Sequence, residues 1–205
     1  MEIFIFLLFY FLLLFSILGH GLLFCKIVNI KNDNKNLGLI GLYGLILIGL
    51  IVTLFHFFLP IGKFFNSFVI LVGLVLFFQL FYKNLFNKQQ FNIGILFIII
   101  SFIMFYGYDP NEDFGYYHLP YIINFSQEKI IFGLSNLQLN QGWNSMWLNI
   151  TAALYLPFLD YKSTFFLNSI FFVFICFFFY YEAFINFDKS KILRYFSIFF
   201  LLFFI

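Results

Sequence analysis

LGLIGLYGLILIGLIVTLFHFFL, Leu37 to Leu59, contains no acidic or basic side chain apart from the neutral His56, and it lies between Asn36 and Pro60. A helix rises about 1.5 Å per residue, so a run of this length crosses the roughly 30 Å hydrocarbon core of a bilayer. Lipid offers no partner to a bare peptide group, and a helix satisfies its own backbone, so the run predicts a transmembrane helix. Similar runs lie on either side of it. Ile3 to Cys25 precedes it across the polar stretch Lys26 to Asn36, and Phe64 to Tyr82 follows the short turn 60–63. Phe91 to Tyr106 is a fourth span after Lys83, Asn84 and Lys88.

The rest of the composition agrees. Of 205 residues 63% are hydrophobic, 26% aromatic and only 10% charged, which excludes an ordinary soluble domain and a disordered chain alike. The net charge of +2, with its lysines dispersed, is too small for a nucleic-acid-binding face. Cys25 and Cys176 each lie in or at the end of an apolar run, where a thiol acts as a small hydrophobe. The N-terminal run lacks a basic leader and a small-residue cleavage site and reads as a retained span. Phe, Ile, Asn and Lys dominate wherever choice is free, so stripes of phenylalanine are read as lipid-facing surface and not as ligand boxes.

The fold expected is an all-α, polytopic transmembrane bundle of about six to seven spans with one large extracytoplasmic loop. It divides into four N-terminal helices (1–106), a loop with an acidic cluster (107–144), and further membrane helices (145–205) that look cut short, because Tyr195 to Ile205 begins a span it cannot finish. Lysine-bearing loops favour the cytoplasm, which puts 26–36 and 83–90 inside and 107–144 outside. Trp143 to Leu159 reads as a short fifth span and Thr164 to Phe184 as a sixth. A complete fifth crossing sends Lys189, Lys191 and Arg194 outside, against the charge rule, whereas a re-entrant segment keeps them inside.

Four of the nine acidic residues, Asp109, Glu112, Asp113 and Glu128, gather in the 107–144 loop. Asp109 or Asn111 is placed to cap a short helix from Glu112, limited by Gly115 and Pro120, with Asp113 and Tyr117 on one face and His118 beside them. A carboxylate partly desolvated at a membrane surface can serve as a general base or ligate a divalent cation, and the histidine can share either task. A loop outside a membrane is polar in any case, which accounts for the cluster without chemistry. One histidine among scattered acids does not make a metal site, so no metal residue is assigned. The triplets at Asn124 and Asn149 match a glycosylation sequon but carry no weight here. Asn136 and Asn144 are amides suited to sugar hydroxyls, and Trp143 and Trp147 suit an interfacial belt. His20, His56, Gln79, Asn168 and Glu182 read as packing or interfacial groups.

The stretch Asp113-Phe-Gly-Tyr-Tyr-His118-Leu-Pro120, with Lys129-Ile-Ile-Phe-Gly133-Leu-Ser-Asn136 and Asn144-Ser-Met-Trp147, resembles a group of multi-pass bacterial membrane proteins of surface-polysaccharide loci. Their layout is similar to that of the GT-C glycosyltransferases, which include the protein O-mannosyltransferases and the aminoarabinose transferases of lipid A. That resemblance implies an inner-membrane enzyme using a polyprenyl-phosphate-linked sugar donor and a glycan, lipid or protein acceptor, with the bilayer as its medium. It implies Asp113 as the catalytic carboxylate, Glu112 as its neighbour and His118 as a contact, with Asp109, Tyr117, Asn136 and Asn144 toward substrate; the donor is the one cofactor it implies, and a divalent metal is left open. The chain departs from the group at Asn140 and Gln141, where relatives carry a basic residue, and it places several spans before the acidic loop instead of one. The rival functions are a polysaccharide polymerase or ligase, and a glycolipid flippase or transporter without catalysis.

Overall fold

A computed structural model describes residues 2–30, 36–80, 88–106, 110, 112–133, 136, 145–159, 161–186 and 190–204. Among them every regular element is helical. The long helices are α1 (Glu2–Ile27), α2 (Leu37–His56), α3 (Lys63–Leu80) and α4 (Lys88–Tyr106). After them come a π-helical turn (Phe114–His118), the short helices α5 (Leu119–Gln127) and α6 (Met146–Leu154), and two 3₁₀ turns, Pro157–Leu159 and Tyr161–Phe165. Helices α7 (Phe166–Phe184) and α8 (Lys191–Phe204) complete the described chain. Four segments are long and apolar enough to cross a membrane: Ile3–Ile27, Leu37–His56, Lys63–Leu80 and Tyr161–Phe184. The apolar part of α4, Gln90–Tyr106, is shorter.

Helix α1 is the central post, packed on α2 and α3, while α7 packs on α2 and α4. Lipid tails are as apolar as leucine, so close backbone approach and interhelical hydrogen bonds hold such a bundle. Glycine supplies the approach: a Cβ on Gly19 would collide with the Gly73 carbonyl in α3, and one on Gly44 with the Ile17 carbonyl in α1. Hydrogen bonds supply the rest. The Tyr10 hydroxyl lies 2.9 Å from Ser169 Oγ, and Ser101 Oγ donates to the Ser169 carbonyl at 2.9 Å, so one buried knot ties α1, α4 and α7. His20 Nε2 donates to the Val69 carbonyl at 3.0 Å across the α1–α3 seam.

Side-chain contacts fix the direction of each helix. Phe6, near the start of α1, meets Tyr106 at the end of α4 and Phe166 at the start of α7, with ring centroids 5.5 and 5.6 Å apart. Asn66, near the start of α3, donates to the Ala152 carbonyl of α6, and His56, which ends α2, faces Asn149 of the same helix. One face of the bundle therefore holds the starts of α1, α3 and α7 and the ends of α2 and α4. At the opposite face Asn36 caps α2 and its amide reaches Glu182 Oε1 of α7 at 3.4 Å.

Of the two alternatives for Trp143–Leu159, a crossing and a re-entrant segment, this geometry favours the second. Its described part is a nine-residue helix, about 13 Å long and under half the hydrocarbon core, and the chain leaves α4 and enters α7 on the same face. The helix enters the bundle and returns: a Cβ on Gly49, almost two turns inside α2, would touch Met146 and Ile150. Its backbone is broken at Tyr155 and Leu156, where Ser163 Oγ donates to the Leu156 carbonyl. With α6 re-entrant, Lys191 and Arg194 follow α7 to the face that carries Lys26 and Asn36.

Candidate functional site: a cavity under the segment after α4

The segment after α4 folds back onto the bundle through a register change. Helical residues begin at Glu112 and continue past Gly115 and Pro120 into α5, which corrects the expectation that those two residues end a short helix. Proline has no N–H to donate, and its ring would strike the carbonyl four residues back in a regular α-helix. The chain absorbs it by widening a turn, with Leu119 N–H donating to the Phe114 carbonyl five residues earlier. The wider turn directs Phe114 inward, where it lies against Phe165 with ring centroids 5.0 Å apart.

Between the end of α4, this turn, α5, α6 and the start of α7 lies a cavity of about 410 Å³. That volume falls within the range of about 300–1,000 Å³ typical of small-molecule sites. Phe105, Phe114, Trp147 and Phe165 supply aromatic walls, and His118, Thr151, Thr164 and Asn168 supply the polar groups. Two of these polar groups have fixed roles. Thr151 Oγ1 donates to the Trp147 carbonyl at 2.9 Å and Thr164 Oγ1 to the Tyr161 carbonyl at 2.6 Å, so both hydroxyl protons are already committed. The Trp147 indole N–H donates to Asn168 Oδ1 at 3.2 Å. An indole nitrogen only donates, so this contact sets the amide orientation and leaves the Asn168 NH₂ as the group still able to donate.

Lys162 flanks the cavity. It lines a smaller cleft that shares Phe105 and Phe165 with the cavity, and its ammonium stands 4.8 Å from the centroid of the Tyr106 ring. Such a contact attracts the cation to the negative face of the ring. On the far side, His56 anchors the segment that follows α4. Its Nε2 is 3.2 Å from the Glu128 carbonyl and its Nδ1 3.2 Å from Asn149 Oδ1, while Asn149 Nδ2 donates to Thr53 Oγ1 at 3.1 Å. Ile130 N–H donates to the His56 carbonyl at 3.0 Å, and Ile61 N–H to that of Phe125 at 2.8 Å. Backbone bonds thus fasten the C-terminal end of α5, one wall of the cavity, to the corner between α2 and α3.

The sequence-selected residues separate here. His118 lines the cavity, though much of its side chain is exposed. Glu112 and Asp113 are exposed on the helical stretch leading to Phe114, and Tyr117 is 43% exposed. Asn136 is exposed beyond the turn at Gly133, whose φ of +80° suits a residue without a side chain. Asp109 and Asn144, with Asn111, Asn140, Gln141 and Trp143, lie outside the described residues. Thr151, Thr164, Trp147 and Asn168 had no site role from sequence; their one signal was a set of hydrogen-bonding side chains at two edges of apolar runs. Among the described residues no three His, Cys, Asp or Glu side chains converge as metal ligands.

A bundle of apolar helices capped at one face by a folded segment with a short inserted helix defines a helical, membrane-type protein. The chain belongs to the family described as Domain of unknown function (DUF8201), whose model matches residues 3–205. No curated protein and no solved structure matches it.

Proposed function

We propose that the chain is a glycosyltransferase-like protein of the bacterial inner membrane, which moves a sugar from a polyprenyl-phosphate donor to a cell-surface glycan, lipid or protein acceptor. The observation that carries this reading is the cavity at one end of the bundle, lined by His118 and aromatic rings and bordered by Lys162. The likeness of residues 113–147 to proteins of surface-polysaccharide loci supports it. Lysine distribution favours the face with Lys26, Lys191 and Arg194 as cytoplasmic, which turns the cavity outward.

In this reading the prenyl chain stays among lipids, the sugar enters the cavity, and Lys162 faces the phosphate in place of the basic residue missing at 140 and 141. An acceptor hydroxyl attacks the anomeric carbon, the bond from that carbon to the phosphate oxygen breaks, and polyprenyl phosphate leaves with the electron pair. The acceptor proton passes to His118 or to the Asp113 carboxylate, with Glu112 beside it, and the configuration inverts. The exposure of Glu112 and Asp113 favours a second reading, in which they solvate an outer loop and the cavity binds a glycolipid for transport without catalysis.

The test is surface-glycan production in a deletion strain carrying the full-length gene with Asp113→Asn or His118→Gln, at membrane abundance equal to wild type. Loss of glycan in either variant supports transfer; normal glycan in both refutes it.

A further inference from the structure

We infer that the cavity selects an uncharged, polyhydroxylated ring, laid against its aromatic walls and fixed by Asn168. The inference rests on the transfer reading for its biological meaning and on the hydrogen-bond inventory for its chemistry.

Each polar group around the cavity has a limited choice of partner. A carbonyl oxygen only accepts, so the bonds from Thr151 to the Trp147 carbonyl and from Thr164 to the Tyr161 carbonyl use the single proton of each hydroxyl. Toward a ligand both threonines present lone pairs alone. Asn168 is the reverse: its oxygen is taken by the Trp147 indole, and its NH₂ is left to donate. His118 adds a ring that donates at one nitrogen and accepts at the other when neutral. The described lining contains no Asp, Glu, Lys or Arg.

A carboxylate or phosphate in such a cavity would meet threonine lone pairs without a compensating cation, and would lose its hydration as well. Sugar hydroxyls are both donors and acceptors, so a ring that carries several of them matches these groups: one hydroxyl can donate to Thr151, another to Thr164, and one can accept from Asn168. The C–H face of the ring, with its slightly positive hydrogens, suits the negative faces of Phe114, Phe165 and Trp147. The phosphate of a lipid-linked sugar is then excluded from the cavity and placed at Lys162, outside it.

Asn168→Asp discriminates well, because the carboxylate still accepts from the Trp147 indole while both N–H donors vanish. The chain has two tryptophans, so Trp143→Phe leaves Trp147 as the one indole within these 205 residues, and a Trp147→Phe control separates its emission from any other indole of the full-length protein. The full-length protein with Trp143→Phe, in lipid nanodiscs, would be titrated with hexyl glycosides of glucose, galactose and mannose, and with hexyl glucuronide. At least one neutral glycoside is expected to shift Trp147 emission with a half-saturation at least fivefold below that of the glucuronide. Asn168→Asp is expected to weaken that neutral ligand at least fivefold with melting temperature unchanged, and Thr151→Val to weaken it while Thr151→Ser restores it. Equal or tighter glucuronide binding, no response to any neutral glycoside, or an Asn168→Asp protein that binds as before overturns the inference. Failure of the two proposals is separable: glycan loss in the His118→Gln strain with no ring binding defeats this inference alone, and ring binding with normal glycan in both complementation variants defeats transfer alone.

Discussion

The Asn36 amide, at the first turn of α2, donates to the Glu182 carboxylate near the end of α7, 3.4 Å away, and Asn186 holds the other oxygen of that carboxylate at 2.8 Å. Two chain segments far apart in sequence therefore share one end of the bundle, and the number of crossings between them must be even. Helices α2, α3, α4 and α7 alternate in direction only if α6 turns back.

Topology follows from that pairing. Single cysteines at Val28 and Ser190, in a protein with Cys25 and Cys176 replaced by alanine, are expected to react with a membrane-impermeant maleimide from the same side. A cysteine at Phe132 should react from the opposite side. Labelling of positions 28 and 190 from opposite sides would mean that α6 crosses.

The α1–α3 seam depends on the absence of side chains. Gly19→Val places two methyl groups where the Gly73 carbonyl sits, and overpacking of this kind costs about 1–3 kcal/mol. Thermal unfolding in detergent should show a clear drop in midpoint. Ser169→Ala, which removes the hydroxyl partner of Tyr10 and leaves the Ser101 bond to the residue-169 carbonyl, should cost less, roughly 0.6–1.7 kcal/mol, the range from average to largest for interhelical hydrogen bonds in a membrane.

His56 joins α2 to both α5 and α6, so its removal should loosen those two short helices before it melts the bundle. His56→Ala is expected to raise amide hydrogen exchange in 119–130 and 146–154 by tenfold or more and to leave α1 and α7 protected. Uniform acceleration across all helices would show that His56 supports the bundle itself.

Lys162 is assigned to the lipid phosphate by its place beside the cavity. Lys162→Gln should weaken binding of polyprenyl phosphate in nanodiscs at least fivefold, and Lys162→Arg should retain it, since both cations also stack on Tyr106. Unchanged affinity in the glutamine variant would move the phosphate elsewhere.

How much of this was legible in the sequence depends on the length of each signal. The long helices follow from unbroken apolar runs such as Leu37–Leu59, whose meaning is additive over twenty residues. The sequence left a span and a re-entrant segment both open over Trp143–Leu159, because that apolar run has nearly the length of a span. What shortens it is tertiary: Asn149 bonds Thr53 and faces His56, Thr151 bonds its own backbone, and Ser163 holds the chain break at Leu156. Of the cavity, His118 stood out because it sits among acids and tyrosines next to a span. Asn168 and Trp147 did not, since a lone amide in an apolar run and a tryptophan at its edge each have a commoner use, and only folding puts the indole against the amide. The π turn was hidden as well, because Pro120 reads as a terminator unless the preceding turn widens.

Sugar transfer itself is tested most directly in proteoliposomes. The full-length protein would receive polyprenyl phosphate carrying a radiolabelled neutral sugar, with a membrane extract of the source cells as acceptor. The account predicts that label leaves the lipid, that free polyprenyl phosphate accumulates in equal amount, and that His118→Ala together with Asp113→Asn slows this by about 10²-fold or more, the usual contribution of a general base. Donor that stays intact across neutral sugars, or turnover that the double variant leaves unchanged, would contradict it.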